Sequence, residues 1–457
     1  MHFVYAYADG PGEWNTSEWR GRTPSDGINK HPKHSARLIP ISDFLMYWEP
    51  AVQAIVGPAD VIIAQRNLIA PSIWEACDYW RGLGKLILAD LDDDYPKLLP
   101  QNPAYRYWIL DHNDMEGHLG RSPVELLTEG FRHTDGLISP NEYIVEDWQK
   151  RIPGFRGYWV PNYANWEWYK DIVQKPSPGP DEQIVIGWGG SISHFDGWWF
   201  SGLREAVPII CKKYPRVQWK ICGGDGRIKE LMEKLAPGRW LDQDSVPPHE
   251  WPGVVASFDI GIAPLCGPQS PAGESYDLRR SWLKAVEYIL TGTPWVASQG
   301  IVYEKLDGRG GRLIPNTAEA WVEALSDILD NLEQRRAESA ALMEWGRDNL
   351  TMEHVVDDYV KTFERIVTEY NAAKGARLPD VLYSKDFFRD TPEVAEVKIG
   401  LHGDDEGVLQ SLQERTMQLS NDWHGGALQI GSVDLGACLQ YPFLNTVNEI
   451  VYRAVIE

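Results

Sequence analysis

The chain has 457 residues, more than the roughly 250–300 over which one hydrophobic core keeps growing, so at least two domains with a cleft between them are expected. Its hydrophobic fraction of 43% and charged fraction of 24% are ordinary for a folded protein and exclude a disordered chain. With 66 acidic against 44 basic residues, the formal net charge of −22 disfavours nucleic acid and anionic membrane surfaces as partners.

Cysteine usage and the first residues predict a cytoplasmic protein. The five cysteines form no CxxC pair and no zinc-like spacing, which is typical of a reducing compartment. The opening stretch MHFVYAYADGPGEW lacks the basic and apolar segments of a signal peptide, and no stretch of the sequence is long enough for a membrane span. The 21 Trp and 20 Tyr suit stacking on sugars or bases, although the filling of cores and interfaces accounts for them as well.

The first part of the chain alternates strand and helix patterns. Residues 9–29 are rich in Gly, Pro and polar side chains, so they are predicted to form an irregular loop, well placed to be functional. Strand, helix, strand in succession predicts a parallel sheet wound with helices. Strands are predicted at 2–8, 59–65, 85–95, 134–140 and 156–162, with helices at 72–84 and 141–151.

A linker rich in proline, QKPSPGPDEQ at 174–183, precedes a second alternation of the same kind. The fold class predicted is α/β, with two Rossmann-like doubly wound domains in tandem. Ligands of such sheets bind at the carboxyl ends of the strands. The predicted domains are 1–173, 184–372 and a C-terminal extension, 375–457, of unknown fold. Strands are predicted at 184–190, 217–224, 258–265, 293–298 and 310–315, with helical stretches at 317–350 and 354–374 closing the second domain.

Three stretches carry candidate chemistry, and the first is IVIGWGGSISHFDGWW. A strand that feeds a Gly-rich turn and then a helix presents backbone N–H groups to an anion such as a diphosphate, here at Gly189, Gly190 and Ser191. A plain tight turn is the alternative. His194 stands where a ligand would arrive, but a histidine at such a position is more often a helix cap or a surface residue.

The second stretch is LADLDDDY, in which three aspartates follow a predicted strand. Asp92, Asp93 and Asp94 would suit a divalent metal or sugar hydroxyls, and they would equally suit capping of the next turn. Because adjacent side chains alternate in direction, we do not expect all three to reach one ligand.

The third stretch is RRSWLKAVEYILTGTPWVAS. In a helix, Arg280, Lys284 and Glu287 would fall at i, i+4 and i+7 on one face, where a surface salt-bridge ladder is the plain reading. The segment also follows a Gly/Pro-rich loop and precedes an apolar strand, so it is expected at the carboxyl edge of the second sheet. There, with Arg279, its cations would neutralise an anionic group, and Glu287 would accept two sugar hydroxyls.

These motifs, with the weaker matches TDGLISPNEYIVEDW and VPNY, resemble the retaining nucleotide-sugar glycosyltransferases of the GT-B fold (family 4-like, group 1) over about residues 1–372. The resemblance implies that Glu287 holds the ribose, that Arg280 and Lys284 meet the diphosphate, and that the Gly-rich turn lies against the phosphates. Arg279 departs from the family, since many members have a sugar-contacting glutamate at this place.

The resemblance implies transfer of a sugar from a UDP-, GDP- or ADP-sugar donor to an acceptor, with retention and without a metal or other cofactor. The acceptor, whether glycan, lipid, small molecule or modified base, is left open. Alternatives are a catalytically silent glycan- or sugar-nucleotide-binding protein, a GT-B epimerase or hydrolase, and a DNA-base glucosyltransferase. The predicted catalytic residues are Asp92, Asp93, His194 and Lys284, and the predicted donor-binding residues are Gly189, Gly190, Ser191, Arg279, Arg280, Ser281, Lys284 and Glu287.

Overall fold

The computed structural model describes residues 1–9, 16–100, 102, 104–110, 120–223, 226–266 and 276–372, together with the backbone of 394–400 and 449–455. Two six-stranded sheets dominate the structure, and neighbouring strands run parallel in both. The predicted α/β class with two wound sheets is therefore confirmed. We refer to residues 1–173 and 184–372 as the first and second halves.

The first sheet has the strand order β2-β1-β3-β4-β5-β6. Its central strands are apolar and buried on both faces, as helices on both sides of a parallel sheet require. The sequence analysis missed β2, whose pattern is interrupted by exposed and half-buried residues because it is the edge strand. The strands are β1 (His2–Tyr7), β2 (Ser35–Pro40), β3 (Val61–Gln65), β4 (Leu86–Asp90), β5 (Gly136–Ser139) and β6 (Gly157–Trp159).

The helices of the first half cover both faces and the edge of this sheet. The capping box of one of them joins Ser122 and Glu125, and the side chain of Asn141 caps another. They are α1 (Thr23–Lys30), α2 (Ile41–Phe44), α3 (Pro50–Val56), α4 (Pro71–Gly82), α5 (Tyr105–Ile109), α6 (Pro123–Arg132), α7 (Glu142–Arg151) and α8 (Trp166–Tyr169).

The predicted irregular loop at 9–29 is wrong for its second part. A π-helical turn at Glu18–Arg22 leads directly into α1, while residues 10–15 lie outside the described residues. The segment is buried although it is polar, because its small residues allow close packing. A Cβ added to Gly27 would lie 2.4 Å from Cγ of Met352. Hydrophobic periodicity cannot reveal a helix that packs through small polar residues.

The second sheet has the strand order β12-β11-β10-β7-β8-β9. The five predicted strands of this half are present, and the sequence analysis missed β9, a short edge strand that is largely exposed. The strands are β7 (Ile184–Gly190), β8 (Val217–Gly223), β9 (Trp240–Gln243), β10 (Ile260–Ala263), β11 (Trp295–Ser298) and β12 (Gly311–Ile314). The helices are α9 (Phe195–Phe200), α10 (Leu203–Lys213), α11 (Gly226–Leu235), α12 (Trp251–Ala256), α13 (Leu283–Leu290), α14 (Ile301–Glu304), α15 (Ala318–Asp330), α16 (Leu332–Ala340), α17 (Met343–Leu350) and α18 (Met352–Ala372).

The last helix differs from the expectation that it closes the second half. α18 packs against the first sheet, where the rings of Phe363 and Phe3 lie 5.2 Å apart and the hydroxyls of Tyr359 and Tyr5 are 3.2 Å apart. The chain thus crosses back to the first half after α17. An amphipathic pattern predicts that a helix has an apolar face but does not say which sheet that face covers.

In the C-terminal extension, the backbone segments β13 (Val394–Gly400) and β14 (Glu449–Val455) pair antiparallel. The remainder of the predicted extension lies outside the described residues. Within the part of the chain that the structure describes, no helix combines the length and the apolar character needed to cross a membrane.

Candidate active site

A cavity of about 560 Å³ lies between the carboxyl ends of the two sheets, and both halves line it. This is where parallel α/β sheets bind ligands. The first half contributes Thr16, Trp19, Asp92, Asp93 and Asn162. The lining residues of the second half include Gly189, Gly190, Ser191, His194, Trp251, Arg280, Ser281, Lys284, Glu287 and Tyr303.

The floor of the second half is the carboxyl end of β7, because the predicted turn residues Gly189 and Gly190 are the last two residues of that strand and Ser191 follows it. Its glycines are required by close approach, because a Cβ on Gly189 would lie 2.1 Å from the Trp251 ring and one on Gly190 would lie 2.6 Å from the Trp188 ring. Beyond it, the hydroxyls of Ser191 and Ser193 are 2.8 Å apart. Gly189, Gly190 and Ser191 line the cavity, so their backbone lies at its surface while the two tryptophan rings pack against the glycines.

Arg280 is buried at the edge of the cavity and does not belong to the helix that the sequence predicts for it. It follows a 3-10 turn, Tyr276–Arg279, and precedes α13, which begins only at Leu283. The alternative of an exposed salt-bridge ladder does not hold, since Arg280 is 8% and Glu287 is 7% exposed. One planar cation held inside the protein needs several acceptors, and Arg280 has them.

Those acceptors come from both halves. Nη1 of Arg280 is 3.2 Å from Oδ1 of Asp93, and Nη2 donates to the carbonyl and the hydroxyl of Ser193 at 2.8 and 2.9 Å. Nε is 3.5 Å from Asp277. Burial opposes the charge, but Tyr276 and the carboxylates Asp93 and Asp277 raise the pKa of Arg280 above its usual range. The guanidinium stays charged and fixed in direction.

Lys284 and Glu287 lie three residues apart on α13, so they share one face of the helix and both face the cavity. Burial lowers the pKa of Lys284 and raises the pKa of Glu287, while each partner opposes the shift of the other. Trp251 donates a hydrogen bond to the Glu287 carboxylate. This arrangement places a cation and a carboxylate side by side within one turn of helix.

His194 closes this wall. Its Nε2 lies 3.4 Å from Nζ of Lys284, and its ring meets the Trp188 ring edge to face at 5.9 Å. Burial lowers the pKa of His194 well below its usual value, and the charges of Arg280 and Lys284 lower it further. The imidazole is therefore neutral at physiological pH and can accept one hydrogen bond and donate another.

The first half presents carboxylates. Oδ2 of Asp92 accepts from the Thr16 hydroxyl at 2.9 Å, while its buried Oδ1 has no hydrogen-bond donor among the described residues. Burial raises the pKa of Asp92 to about 7, the charge of Asp93 adds to this shift, and Arg66 opposes it. Asp92 can therefore take up or release a proton near neutral pH.

Asp94, the third aspartate, faces away from the cavity. Its carboxylate is 3.5 Å from Nε of Arg279, and burial together with the neighbouring Asp147 raises its pKa to about 8. Arg279 does not line the cavity either. Its Nη2 lies 2.7 Å from Oδ2 of Asp147 on α7. Arg279 is therefore not among the residues that we propose to bind the donor.

We call the cavity-lining carboxylates of the first half, Asp92 and Asp93, the acidic wall. The sequence analysis missed the residues that support this wall. Arg20 is 2.6 Å from Asp90 and donates to Val160 O and Asn162 Oδ1 at 2.7 and 2.8 Å. It lies in the segment predicted as an irregular loop, and its partners Asp90, Val160 and Asn162 are 70 or more residues away in sequence. It holds Asn162 at the cavity.

Arg66 ends β3 with φ of +33°, a strained conformation for a residue other than glycine. Its guanidinium pairs with Asp9 and is 3.3 Å from the Thr16 hydroxyl. Strain at the carboxyl end of a strand, beside the cavity, is consistent with a site that the surrounding structure holds in place. No sequence pattern predicts that an arginine such as Arg66 has a positive φ. In the described part of the chain, no group of three or more His, Cys, Asp or Glu side chains could hold a metal ion.

Neither a protein-family model nor a curated protein matches this sequence. Solved structures do. Sucrose-phosphate synthase from Thermosynechococcus elongatus is 14% identical, with a TM-score of 0.52 over 81% of this chain and 100% of its own. Anabaena HepE, in complex with UDP-glucose, is 11% identical, with a TM-score of 0.50 over 80% of this chain and 100% of its own.

TarM of S. aureus is 12% identical and has a TM-score of 0.45 over 66% of this chain, which spans only 54% of TarM. At such identities the likeness concerns the fold alone, and it rests on sucrose-phosphate synthase and HepE, whose full lengths are matched. Two parallel six-stranded sheets that face each other across a cavity are the architecture of the GT-B fold. This chain has the GT-B fold.

Proposed function

We propose that the protein transfers a sugar from a nucleoside diphosphate sugar to the hydroxyl group of an acceptor. One observation carries the proposal: the buried cations Arg280 and Lys284 and the carboxylate Glu287 line the same cavity as Asp92 and Asp93, and Asp93 contacts Arg280 at 3.2 Å. A buried cluster of this kind, with shifted pKa values and facing a cavity, is typical of functional sites.

The donor is proposed to bind along the second half. Its diphosphate would lie between the turn Gly189–Gly190–Ser191 and the charges of Arg280 and Lys284, with Ser281 beside them. The carboxylate of Glu287 would accept hydrogen bonds from the two ribose hydroxyls, since a carboxylate held by Trp251 keeps lone pairs for them. HepE, which shares the fold, has been solved with UDP-glucose, so the fold accommodates a nucleotide sugar.

The proposed chemistry uses charge that develops in the transition state. The bond from the anomeric carbon to the diphosphate oxygen breaks, its electron pair stays on that oxygen, and the acceptor oxygen bonds to the anomeric carbon. Fixed cations at the leaving oxygen stabilise this state more than the ground state. Because Arg280 and Lys284 supply that charge, we propose that transfer needs no metal, and retained activity in EDTA would support this.

The acceptor proton must leave as its oxygen attacks. Asp92 is the proposed base, because one of its carboxylate oxygens accepts no hydrogen bond from the described residues and its pKa is raised to about 7. Asp93 and the neutral His194 are proposed to hydrogen-bond the transferred sugar. Retention at the anomeric carbon is part of the proposal through the family resemblance. In this single step it requires the acceptor oxygen to approach from the same face of the sugar that the diphosphate leaves, and an NMR spectrum of the first product formed tests it.

The test is incubation with UDP-, GDP- and ADP-glucose, with and without neutral sugar acceptors, with nucleoside diphosphate release and product mass measured together. Transfer requires release that depends on an acceptor and a product heavier by one hexose. Release without an acceptor would indicate the hydrolase or epimerase instead, and nucleotide binding without release would indicate the silent binding protein.

Two variants and their matched controls tie the result to the site. Lys284→Met and Glu287→Gln should abolish tight nucleotide binding, measured by calorimetry. Lys361→Met and Glu364→Gln, on the outer surface of α18, should bind as wild type. Wild-type affinity in both site variants would refute the proposed donor site.

A further inference from the structure

One of the places where the two halves meet is a short segment, Tyr276–Arg280, whose backbone is hydrogen-bonded by one side-chain amide of the first half. Nδ2 of Asn141 donates to the carbonyls of Leu278 and Arg280 at 2.9 and 2.8 Å. Oδ1 of the same amide accepts from Tyr143 N at 2.8 Å and so caps α7. Since both ends of the Asn141 side chain are engaged, its direction is fixed.

Arg279 adds charge to this contact. Its Nε and Nη2 donate to the same oxygen of Asp147 at 2.9 and 2.7 Å, and Nε also lies 3.5 Å from Asp94. The guanidinium carbon lies 5.2 Å from the centre of the Tyr143 ring. The Arg279 side chain is 4% exposed, so two carboxylates and an aromatic face of the first half enclose a cation of the second half.

The other end of the segment is anchored in the second half. Oδ2 of Asp277 accepts from the backbone N–H of Cys266 at 2.9 Å, three residues after the end of β10. Consecutive arginines therefore point in different directions from a backbone that is held from both sides. Arg279 reaches the first half outside the cavity, and Arg280 reaches into the cavity, where Asp93 of the first half meets it at 3.2 Å.

We propose that Arg279 is a positioning residue, which joins the two halves through Asp94 and Asp147 and thereby sets the backbone that presents Arg280 to the donor diphosphate. The consequence for catalysis rests on the proposed function, whereas the contact between the halves does not. Arg279 stands where relatives of the resembled family have a sugar-contacting carboxylate, and in this chain it serves the interface instead.

Separation of the halves would break the Arg279, Asn141 and Asp93 contacts together, since each joins the segment to the first half. The Arg280 guanidinium would then lose Asp93, one of its carboxylate partners. The Arg280 backbone would lose the hydrogen bond from Asn141 that fixes its position at the cavity. Small displacements of a group that binds the reacting centre are costly, on the order of a hundredfold for about 1 Å. The effect is therefore expected in turnover rather than in ground-state binding.

The experiment compares Arg279→Met, Arg279→Lys and Asn141→Ala with Arg312→Met, which removes an exposed arginine of the same half. Turnover with the active donor, affinity for UDP, GDP and ADP, and amide hydrogen exchange of residues 276–290 and 141–151 are measured on the full chain. If Arg279→Met fails to fold, Asn141→Ala and Arg279→Lys still test the contact, since neither leaves a buried carboxylate without a cation.

We expect Arg279→Met to lower kcat about tenfold or more while the nucleotide Kd stays within about threefold, with Asn141→Ala smaller in the same direction. Arg279→Lys should have a higher kcat than Arg279→Met, because lysine keeps the positive charge but lacks the planar guanidinium with its several N–H donors. Exchange should rise in both segments. An unchanged kcat, or a nucleotide affinity that falls as far as kcat, would overturn the positioning role.

The exchange measurement separates this proposal from the proposed function. If the wild type neither binds nor turns over a nucleotide sugar, the proposed function fails, while faster exchange in both segments of the variants still supports the contact. Exchange in the variants that matches wild type and Arg312→Met overturns the contact itself.

Discussion

The two walls of the cavity differ in charge. In the described part of the chain, the Lys and Arg side chains that line the cavity, Arg280 and Lys284, belong to the second half, where Glu287 and Asp244 line it as well, while the charged side chains of the first half there are the carboxylates Asp92 and Asp93. The first half has arginines nearby, but Arg20 pairs with Asp90 beneath the wall. The difference teaches that a chain of net charge −22 can still offer an anion site, provided that its cations are buried on one side.

Removal of the cationic wall should have the largest effect. Lys284→Met takes away a charge that faces the proposed diphosphate and leaves Glu287 buried without its partner. Truncation of one partner of a buried charge pair across a binding interface costs about 2–5 kcal/mol of binding free energy. For Lys284 and the proposed diphosphate, nucleotide affinity should therefore fall about thirtyfold or more. Calorimetry with UDP, GDP and ADP measures it, with Lys361→Met as control. Equal affinities would mean that the wall does not bind the anion.

The acidic wall can be tested through the charge of the acceptor. A phosphate group near the reacting hydroxyl would approach Asp92 and Asp93, and repulsion between unit charges at 4 Å is worth about 1–4 kcal/mol near a protein surface. We expect a neutral sugar to be preferred over its phosphate ester about tenfold or more in kcat/KM. Asp93→Asn should reduce the ratio of kcat/KM for the neutral sugar to kcat/KM for its phosphate ester. A phosphorylated acceptor used equally well would break the comparison.

The third prediction concerns stability against pH. The pKa of Asp92 is raised from its ordinary value to about 7 in the folded protein, so the folded state binds the proton more tightly than the unfolded chain. Its contribution is therefore fully present below about pH 4 and is lost as the pH rises to about 7. Wild type should lose about 2–3 kcal/mol more than Asp92→Asn between pH 5 and 8 in urea unfolding, by the same linkage. Parallel curves for the two proteins would contradict this account of Asp92.

Salt should have the smallest effect. Charges in solvent are screened over about 8–10 Å at physiological ionic strength, but Arg280 is 8% exposed and its partners are fixed. Nucleotide affinity should fall less than about threefold between 0.05 and 0.5 M NaCl. A tenfold fall would show that exposed charges around the mouth bind the donor instead, and would move the anion site away from the wall.

Much of the fold was accessible from the sequence because parallel sheets leave a strong local signal. Strands such as Val61–Gln65 are buried on both faces, and the apolar run with its polar end predicts both the strand and its carboxyl edge. The edge strands Ser35–Pro40 and Trp240–Gln243 were missed because edges are half exposed and lack that signal. The helix Thr23–Lys30 was missed because it packs through Gly and Ser.

The candidate site divides in the same way. The turn at Gly189 and Gly190 and the spacing of Lys284 and Glu287 are local patterns, and the structure brings these residues together around one cavity. The side-chain directions of Arg279 and Arg280 are not local. Adjacent in sequence and identical in chemistry, they separate only because Asp147 lies on one side and Asp93 on the other.

By itself, then, the sequence determined two wound sheets and the residues that stand at the ends of their strands, since burial and turn chemistry act over a few positions. The tertiary structure alone decided which sheet Met352–Ala372 covers, that Arg20 supports the acidic wall, and that Arg279 joins the halves. Each of these depends on partners more than 100 residues away in sequence, and contacts at that distance leave no mark on local periodicity.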